Sequence, residues 1–125
     1  MPEPNQPCPC GSDRSFSTCC GPLLAGGDAP TAEALMRSRY TAHVFGDDLH
    51  LARTWHPDHR PPAVRASPSA GWTGLEITAT ERGRELDADG TVTFVARRTS
   101  TPLRERSRFV RLDGVWVYVD GDPVV

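Results

Sequence analysis

Residues 105–121 read ERSRFVRLDGVWVYVDG, and this stretch decides the fold because it describes a complete β-hairpin. Apolar and polar side chains alternate on both sides of Asp113-Gly114, a dipeptide typical of a two-residue type I′ turn. A two-residue turn fixes the register of the strands that it joins. The predicted cross-strand pairs are Leu112–Val115, Val110–Val117 and Arg108–Val119 on one face, and Arg111–Trp116, Phe109–Tyr118 and Ser107–Asp120 on the other.

Both faces of this hairpin are largely apolar, so each needs a covering layer. One layer of helices covers only one face of a sheet. The second face therefore has to meet the cysteine-rich N-terminal segment, a second copy of the chain, or a pocket that contains a ligand. A homodimer is the simplest of these three arrangements.

Two further strands are predicted upstream of the hairpin. Residues 75–80 and 92–97 alternate between apolar and polar side chains with a period of two. Asp89-Gly90 precedes the second run and indicates a turn there. Together with the hairpin, these runs predict an antiparallel sheet.

The periodicity before residue 57 is helical. Thr31 follows Pro30 and is a typical N-cap, which predicts a helix from Ala32 to about Phe45 with Gly46 just after its end. Asp47 or Asp48 caps a second, shorter helix over residues 49–55. Four prolines then make residues 57–71 a long surface loop. Helices followed by an antiparallel sheet predict an α+β fold.

All four cysteines lie within 13 residues, as Cys8, Cys10, Cys19 and Cys20. Four thiolates on so short a segment can converge on one metal ion, and Zn²⁺ prefers that ligand number and type. Iron accepts the same ligands. A site with four cysteines leaves no position for an activated water, which indicates a structural or docking role rather than catalysis. Disulfides or free thiols are the alternative.

The charge and hydropathy of the sequence limit the cellular compartment and the classes of binding partner that we expect. Arg accounts for all 14 basic residues against 16 acidic ones, so the chain lacks the basic surface that nucleic-acid binding requires. No apolar run is long enough to span a membrane, and residues 1–7 are polar and proline-rich rather than a secretory signal. We therefore expect a cytoplasmic protein with reduced thiols and no nucleic-acid or membrane partner.

The segment CPCGSDRSFSTCCG, residues 8–21, resembles the SEC-C motif at every cysteine. Further stretches, namely LMRSRYTAHVFGD (35–47), TWHP (54–57), WTGLEI (72–77), FVARR (94–98) and residues 105–121, resemble the bacterial YchJ family. The resemblance implies a zinc-binding SEC-C knuckle in residues 1–27 and a domain like that of nuclear transport factor 2 (NTF2) in residues 28–125. An NTF2-like domain is a cone of helices against a curved antiparallel sheet. The YchJ family has no established biochemical activity.

The cone implied by this resemblance is a pocket, and six residues are candidates for catalysis or ligand binding inside it. They are Arg39, His43, His56, Glu105, Arg108 and Asp120. In an enzyme acting on a small anionic substrate, His43 or His56 would serve as base and Arg39 or Arg108 as anion clamp. Alternatively, the arginines pair with Glu105, Glu76 or Asp120 in a structural network, and the histidines are structural.

Two classes of function follow. In the first, the chain is a metal-binding interaction protein, in which the zinc knuckle docks a protein partner and the NTF2-like domain dimerises or holds a small ligand. In the second, the chain is an enzyme or small-molecule binder that works in the cone. An open cavity with convergent His, Arg and carboxylate groups favours the second class. A cone filled by Trp and Phe excludes it.

Overall fold

The chain folds as helices followed by a four-stranded sheet in this computed structural model, which describes residues 3–125. The predicted α+β class is confirmed. The helices are α1 (Cys20–Leu24), α2 (Ala32–Phe45) and α3 (Asp48–Arg53), with single 3₁₀ turns at Phe16–Thr18 and Pro68–Ala70. The strands are β1 (Trp72–Arg82), β2 (Asp89–Arg98), β3 (Leu103–Leu112) and β4 (Val115–Pro123), and they pair antiparallel in chain order.

The helix boundaries follow the predicted caps. Thr31 Oγ1 accepts a hydrogen bond from the Ala34 amide at 3.1 Å, and Gly46 is left-handed with φ 77°. Asp47 caps α3 by accepting from the His50 amide at 3.0 Å. Helix α3 ends at Arg53 rather than at the predicted Trp55, because the next residues bond to β4. The Tyr118 amide donates to Thr54 O, and the His56 amide donates to Tyr118 O. Residues 54–56 thereby cover part of the edge of β4.

The β3–β4 register is as predicted near the turn and differs beyond Phe109. Asp113 and Gly114 have φ values of 52° and 82°, as a type I′ turn requires. The four predicted pairs closest to the turn are confirmed. A β-bulge then leaves Val119 as an extra residue, so Arg108 pairs with Asp120 and Ser107 with Gly121. The predicted Arg108–Val119 and Ser107–Asp120 pairs are wrong, because a turn sequence carries no signal for a later bulge.

The connection between β1 and β2 lies earlier than predicted. Asp89 and Gly90 belong to β2, where they pair with Val110 and Phe109, and residues 83–88 make the turn. Gly90 serves close packing instead: a Cβ there would lie 2.4 Å from Gly83 Cα. The prediction of a turn at Asp89-Gly90 is therefore wrong, because the glycine is needed for close backbone approach.

Helix α2 packs on the inner face of the sheet, and the N-terminal segment packs into the same core. Buried Phe16, Leu23 and three of the cysteines form one cluster with residues of α2 and the sheet. The side chains of Phe109 and Trp116 are fully buried in that cluster. Within residues 3–125, none of the helices has the length and apolar character that crossing a membrane demands.

Candidate functional site

The four cysteine side chains converge at one point. Their Sγ atoms all lie within 4.8 Å of one another, and Cys10 Sγ is 3.6 Å from Cys19 Sγ. Zinc–sulfur bonds of about 2.3 Å place tetrahedral sulfurs about 3.8 Å apart, so a small contraction of this cluster would complete a tetrahedral site. No disulfide joins the four. The donor set fits a metal ion, and Cys8, Cys10, Cys19 and Cys20 are the residues that could hold it.

Local turns bring these thiols together. Gly11 adopts φ 77° directly after Cys10, and its amide donates to Cys8 O at 3.2 Å. The 3₁₀ turn at Phe16–Thr18 and the start of α1 at Cys20 then return the chain to the first pair. The Cys8–Cys10 pair and the Cys19–Cys20 pair therefore lie at the two ends of one short loop, which brings them together.

Contacts among the thiols shift the pKa values of Cys10 and Cys20 in opposite directions. Hydrogen bonds from Cys20 and then Cys8 lower the pKa of Cys10. The corresponding hydrogen bond to Cys10 is the main reason why the pKa of Cys20 is raised. A metal ion binds the thiolate form of cysteine, so its binding would release thiol protons to solvent.

One side of α2 holds the cysteine cluster in place. Thr41 Oγ1 donates to Cys20 Sγ at 3.3 Å and lies 4.0 Å from Cys8 Sγ. Arg37 Nη1 donates to Cys10 O at 2.9 Å. The rings of Phe16 and Phe45 meet edge to face with their centroids 5.8 Å apart. The metal-binding segment is thus anchored to the α+β domain by hydrogen bonds and by apolar packing.

A cavity of about 310 Å³ lies on the other side of α2, between this helix and the inner face of the sheet. Its apolar walls include the aromatic residues Tyr40, Trp55, Trp72, Phe94 and Tyr118. Its polar lining includes Arg39, His43, Glu105 and Ser107. The aromatic side chains line the cone without filling it.

Arg39 is a buried cation at the wall of this cavity, with 6% of its surface exposed. Its Nη1 donates to Leu51 O at 2.9 Å and to Thr54 Oγ1 at 2.7 Å. Its guanidinium carbon lies 4.4 Å from the ring centroid of Tyr118 and 5.1 Å from that of Trp55. Burial lowers the pKa of Arg39 to about 10, so the group stays charged at neutral pH.

Glu105 is the carboxylate of the cavity. Its Oε2 accepts hydrogen bonds from Ser107 Oγ at 2.6 Å and from the Tyr118 hydroxyl at 3.1 Å. Burial, followed by the charge of Glu105, raises the pKa of Tyr118, so this hydroxyl remains a donor. No ion pair links Arg39 to a carboxylate within residues 3–125.

His43 is held in one tautomer. Its Nδ1 accepts a hydrogen bond from the Ser67 amide at 3.1 Å, so Nε2 carries the proton of the neutral ring. Burial, followed by the charge of Arg39, lowers the pKa of His43 to about 4. At neutral pH this imidazole is a hydrogen-bond donor, and its Nε2 has no free lone pair with which to act as a base.

Comparison with known proteins finds a family match for the cysteine-rich segment and another for the α+β domain. The family model described as "YchJ, middle NTF2-like domain" matches residues 31–121, and the SEC-C motif matches residues 5–22. The chain belongs to the YchJ family. A UPF0225 protein of Streptomyces coelicolor is 54% identical over 98% of both chains. A UPF0225 protein of Deinococcus radiodurans is 47% identical over 94% of this YchJ-family chain and 89% of its own.

Two solved structures share the fold of this YchJ-family chain. The solution structure of a SEC-C motif containing protein from Rhodopseudomonas palustris has a TM-score of 0.82 at 31% identity, covering 96% of this chain and 100% of that one. The crystal structure of a SEC-C motif containing protein from Psychrobacter arcticus has a TM-score of 0.77 at 23% identity, covering 98% and 85%. The NTF2-like fold predicted from the sequence is confirmed.

The six candidate residues divide into two groups in the YchJ-family chain. Arg39, His43 and Glu105 line the cavity together. Arg108 and Asp120 form an ion pair on the outer face of the sheet, because the bulge in β4 turns Asp120 to that side. His56 lies outside the cavity lining, where its Nδ1 accepts from the Asp58 amide and its ring packs on His59.

Several residues that shape the cavity were not predicted from the sequence. Ser107 and Tyr118 position Glu105, and Ser67 sets the tautomer of His43. The alternation of residues 105–121 carried a signal for Ser107 and Tyr118, since both share a face with Phe109. Ser67 had no such signal, because it lies in a proline-rich loop 24 residues from His43.

Proposed function

We propose that this YchJ-family chain is a small-molecule-binding protein whose cavity is braced by a structural zinc site. The observation that carries the proposal is the double use of α2. Thr41 and Arg37 hold the cysteine cluster on one side of this helix, and Arg39 and His43 line an open cavity on the other. Zinc binding would fix the helix that carries the cavity's polar groups.

Zinc is supported by the chemistry of the donor set. Four thiolates satisfy its preferred coordination number and leave no position for a reactive water. Three of the four cysteines are buried against the domain, as expected of a structural site. Iron in the same four ligands is the competing occupant.

Binding is favoured over catalysis by the state of His43. A general base at neutral pH needs a free lone pair and a pKa near the working pH. The pKa of His43 is lowered to about 4, and its Nδ1 lone pair is already bonded to the Ser67 amide. The alternative, an enzyme with His43 as base and Arg39 as clamp, would need a different tautomer of this ring.

Metal analysis of purified protein together with thiol titration tests the zinc site. We expect one equivalent of zinc per chain and no thiol that reacts with a disulfide reagent before a chelator is added. Less than half an equivalent of metal with two disulfides would contradict the proposal. One equivalent of iron would keep the site and change its occupant.

A fragment screen by NMR tests the cavity. Spectra of the zinc-loaded protein with mixtures of small aromatic compounds should shift indole signals of Trp55 and Trp72, which line the cavity. The indole of Trp116 is buried away from the cavity and donates to Pro30 O, so it serves as the internal reference. Absence of any shift at Trp55 and Trp72 would contradict a ligand-binding role.

Protein docking on the SEC-C segment and homodimer formation are also proposals. Docking is supported by the surface beside Cys19, which is the least buried of the four cysteines and lies next to a groove of about 550 Å³.

A dimer is supported by the outer face of the sheet, where Val110, Leu112 and Val115 are only partly buried. Sedimentation velocity over a range of protein concentrations tests the dimer, and a monomer at every concentration would exclude it. Cytoplasmic location stays a prediction.

A further inference from the structure

We infer that the ligand of the cavity is a small aromatic carboxylate, bound through the guanidinium of Arg39. This inference rests on the proposed function, because it names a chemical class of ligand for the same cavity. It depends on three features: the unused donors of Arg39, the charges that line the cavity, and its aromatic walls.

Arg39 offers a set of donors that the protein leaves unused. Leu51 O and Thr54 Oγ1 take the two hydrogens of Nη1, whereas Nε and Nη2 have no hydrogen-bond partner within residues 3–125. Every fully buried side-chain nitrogen or oxygen in the described residues has a partner, so Nε and Nη2 keep some accessible surface, and Arg39 lines the cavity. The Nε–Nη2 edge of a guanidinium matches the two oxygens of a carboxylate.

His43 adds a neutral donor to the same wall. Its Nδ1 is bonded to the Ser67 amide, which leaves Nε2–H as the donor of a ring that lines the cavity. A carboxylate is an acceptor at both oxygens, so it can use donors from more than one side chain. A ligand cation would face only donors at this wall.

The charges that line the cavity favour a single negative charge on the ligand. Arg39, Arg65 and Arg98 contribute three cations, and Glu105 contributes one carboxylate. The excess of cations attracts an anion. Only Arg39 of the three cations is buried, since Arg65 is exposed and Arg98 is half-buried, so a dianion would carry one more negative charge into the cavity than its buried cation neutralises. The balance therefore points to a carboxylate with one charge.

The remaining surface of the cavity favours a flat apolar body. The side chains of Trp72, Phe94 and Tyr118 supply aromatic wall, and those of Met36 and Leu103 supply aliphatic wall. The volume of about 310 Å³ lies at the lower end of the range of about 300 to 1,000 Å³ for small-molecule sites. A molecule with one or two rings fits these limits.

Isothermal titration of the zinc-loaded protein with matched probes tests this inference. Benzoate, phenylacetate and indole-3-acetate carry the carboxylate, and benzamide is the neutral counterpart of benzoate. We expect benzoate to bind about ten- to hundredfold more tightly than benzamide, which is the usual range for hydrogen bonds to charged groups. Arg39→Met should remove this difference. Arg104→Met, on the exposed outer face of the sheet, should preserve it.

The outcomes separate this inference from the proposed function. Equal binding of benzoate and benzamide, or tighter binding of inorganic phosphate, would overturn the carboxylate and leave a ligand-binding cavity in place. No binding of any probe at millimolar concentration to folded, zinc-loaded protein would overturn both. Arg39→Lys keeps the charge and loses the fork, so it serves if Arg39→Met does not fold. It should weaken benzoate binding and leave benzamide binding unchanged.

Discussion

Single residues in this chain have roles that depend on what lies within a few ångströms of their Cβ position. Gly90 and Gly74 are both strand glycines, yet their surroundings are opposite. A Cβ on Gly90 would lie 2.4 Å from both Cα and N of Gly83, whereas nothing lies within 4 Å of a Cβ on Gly74. The side-chain space at Gly90 is filled by backbone, which cannot move aside as a flexible side chain can.

Gly90→Ala should therefore destabilise the protein, and Gly74→Ala should not. We expect a loss of about 1–3 kcal/mol in the free energy of unfolding for Gly90→Ala, as for other overpacked sites. For Gly74→Ala we expect no loss, because alanine loses less backbone entropy than glycine on folding. Urea unfolding of both variants and of the unchanged protein measures the effect. Equal stability of the two variants would show that the β1–β2 turn adapts freely.

At the scale of elements, helices α1, α2 and α3 are joined by a series of hydrogen bonds that begins at the exposed Arg53 and ends at the buried Ser38. Arg53 Nη2 donates to Leu23 O and to His50 Nδ1, and His50 Nε2 then donates to Ser38 Oγ at 2.9 Å. Ser38 in turn donates to Leu35 O. These hydrogen bonds require His50 to be neutral, because its Nδ1 accepts from Arg53 and protonation would place a second cation beside that arginine.

Acid should destabilise this helix layer over a defined pH range. Burial lowers the pKa of His50 to about 4 and that of His43 to about 4, with Arg53 and Arg39 as the next causes. The unfolded chain has histidine pKa values near about 6.5. Between these values the unfolded state binds more protons, so stability is full above about pH 6.5 and falls as the pH drops towards 4.

Unfolding free energies measured from pH 7 to pH 4.5 check this expectation, with His43→Gln as the comparison. Acid also protonates the cysteine ligands in both proteins, so the difference in slope reports His43 alone. We expect the slope to fall by up to one proton in His43→Gln. A direct NMR titration in which His43 and His50 both change near pH 6.5 would contradict the prediction.

At the scale of the whole molecule, the metal-binding segment and the α+β domain share one core. Cys10 is fully buried, and its cluster is bonded to α2 through Thr41 and Arg37. Gly11 also approaches β1, where a Cβ would lie 3.2 Å from Leu75 O. The segment of residues 3–25 is therefore a layer of the fold rather than an appendage on a linker.

Cys10→Ser should destabilise the whole chain and not only its first 25 residues. Loss of one of four ligands weakens metal binding, and the binding free energy of a structural metal is folding free energy, so we expect a loss on the order of several kcal/mol. Hydrogen exchange should accelerate in α2 as well as in residues 3–25. Ser17→Ala, an exposed position in the same segment, is the control. Faster exchange confined to residues 3–25 would show that the two parts fold independently.

The features that the sequence determined by itself are those with local causes. Thr31 and Gly46 bound α2 because caps act within one helical turn. Asp113-Gly114 sets the first four pairs of the β3–β4 hairpin, and the cysteine spacing sets the four-thiol cluster. The family follows from the same local patterns. Each of these depends on atoms that the chain brings together over a few residues.

Only the tertiary structure decided how the candidate residues are used. The bulge at Val119 turns Asp120 to the outer face of the sheet, where it pairs with Arg108, while Thr54 and Leu51 occupy only part of the guanidinium of Arg39. The Ser67 amide fixes the tautomer of His43. These contacts join distant segments, and hydrogen-bond partners, burial and charge depend on which segments meet. Arg39, His43 and Glu105 were candidates because of their chemistry, and only tertiary packing brings these three to one cavity.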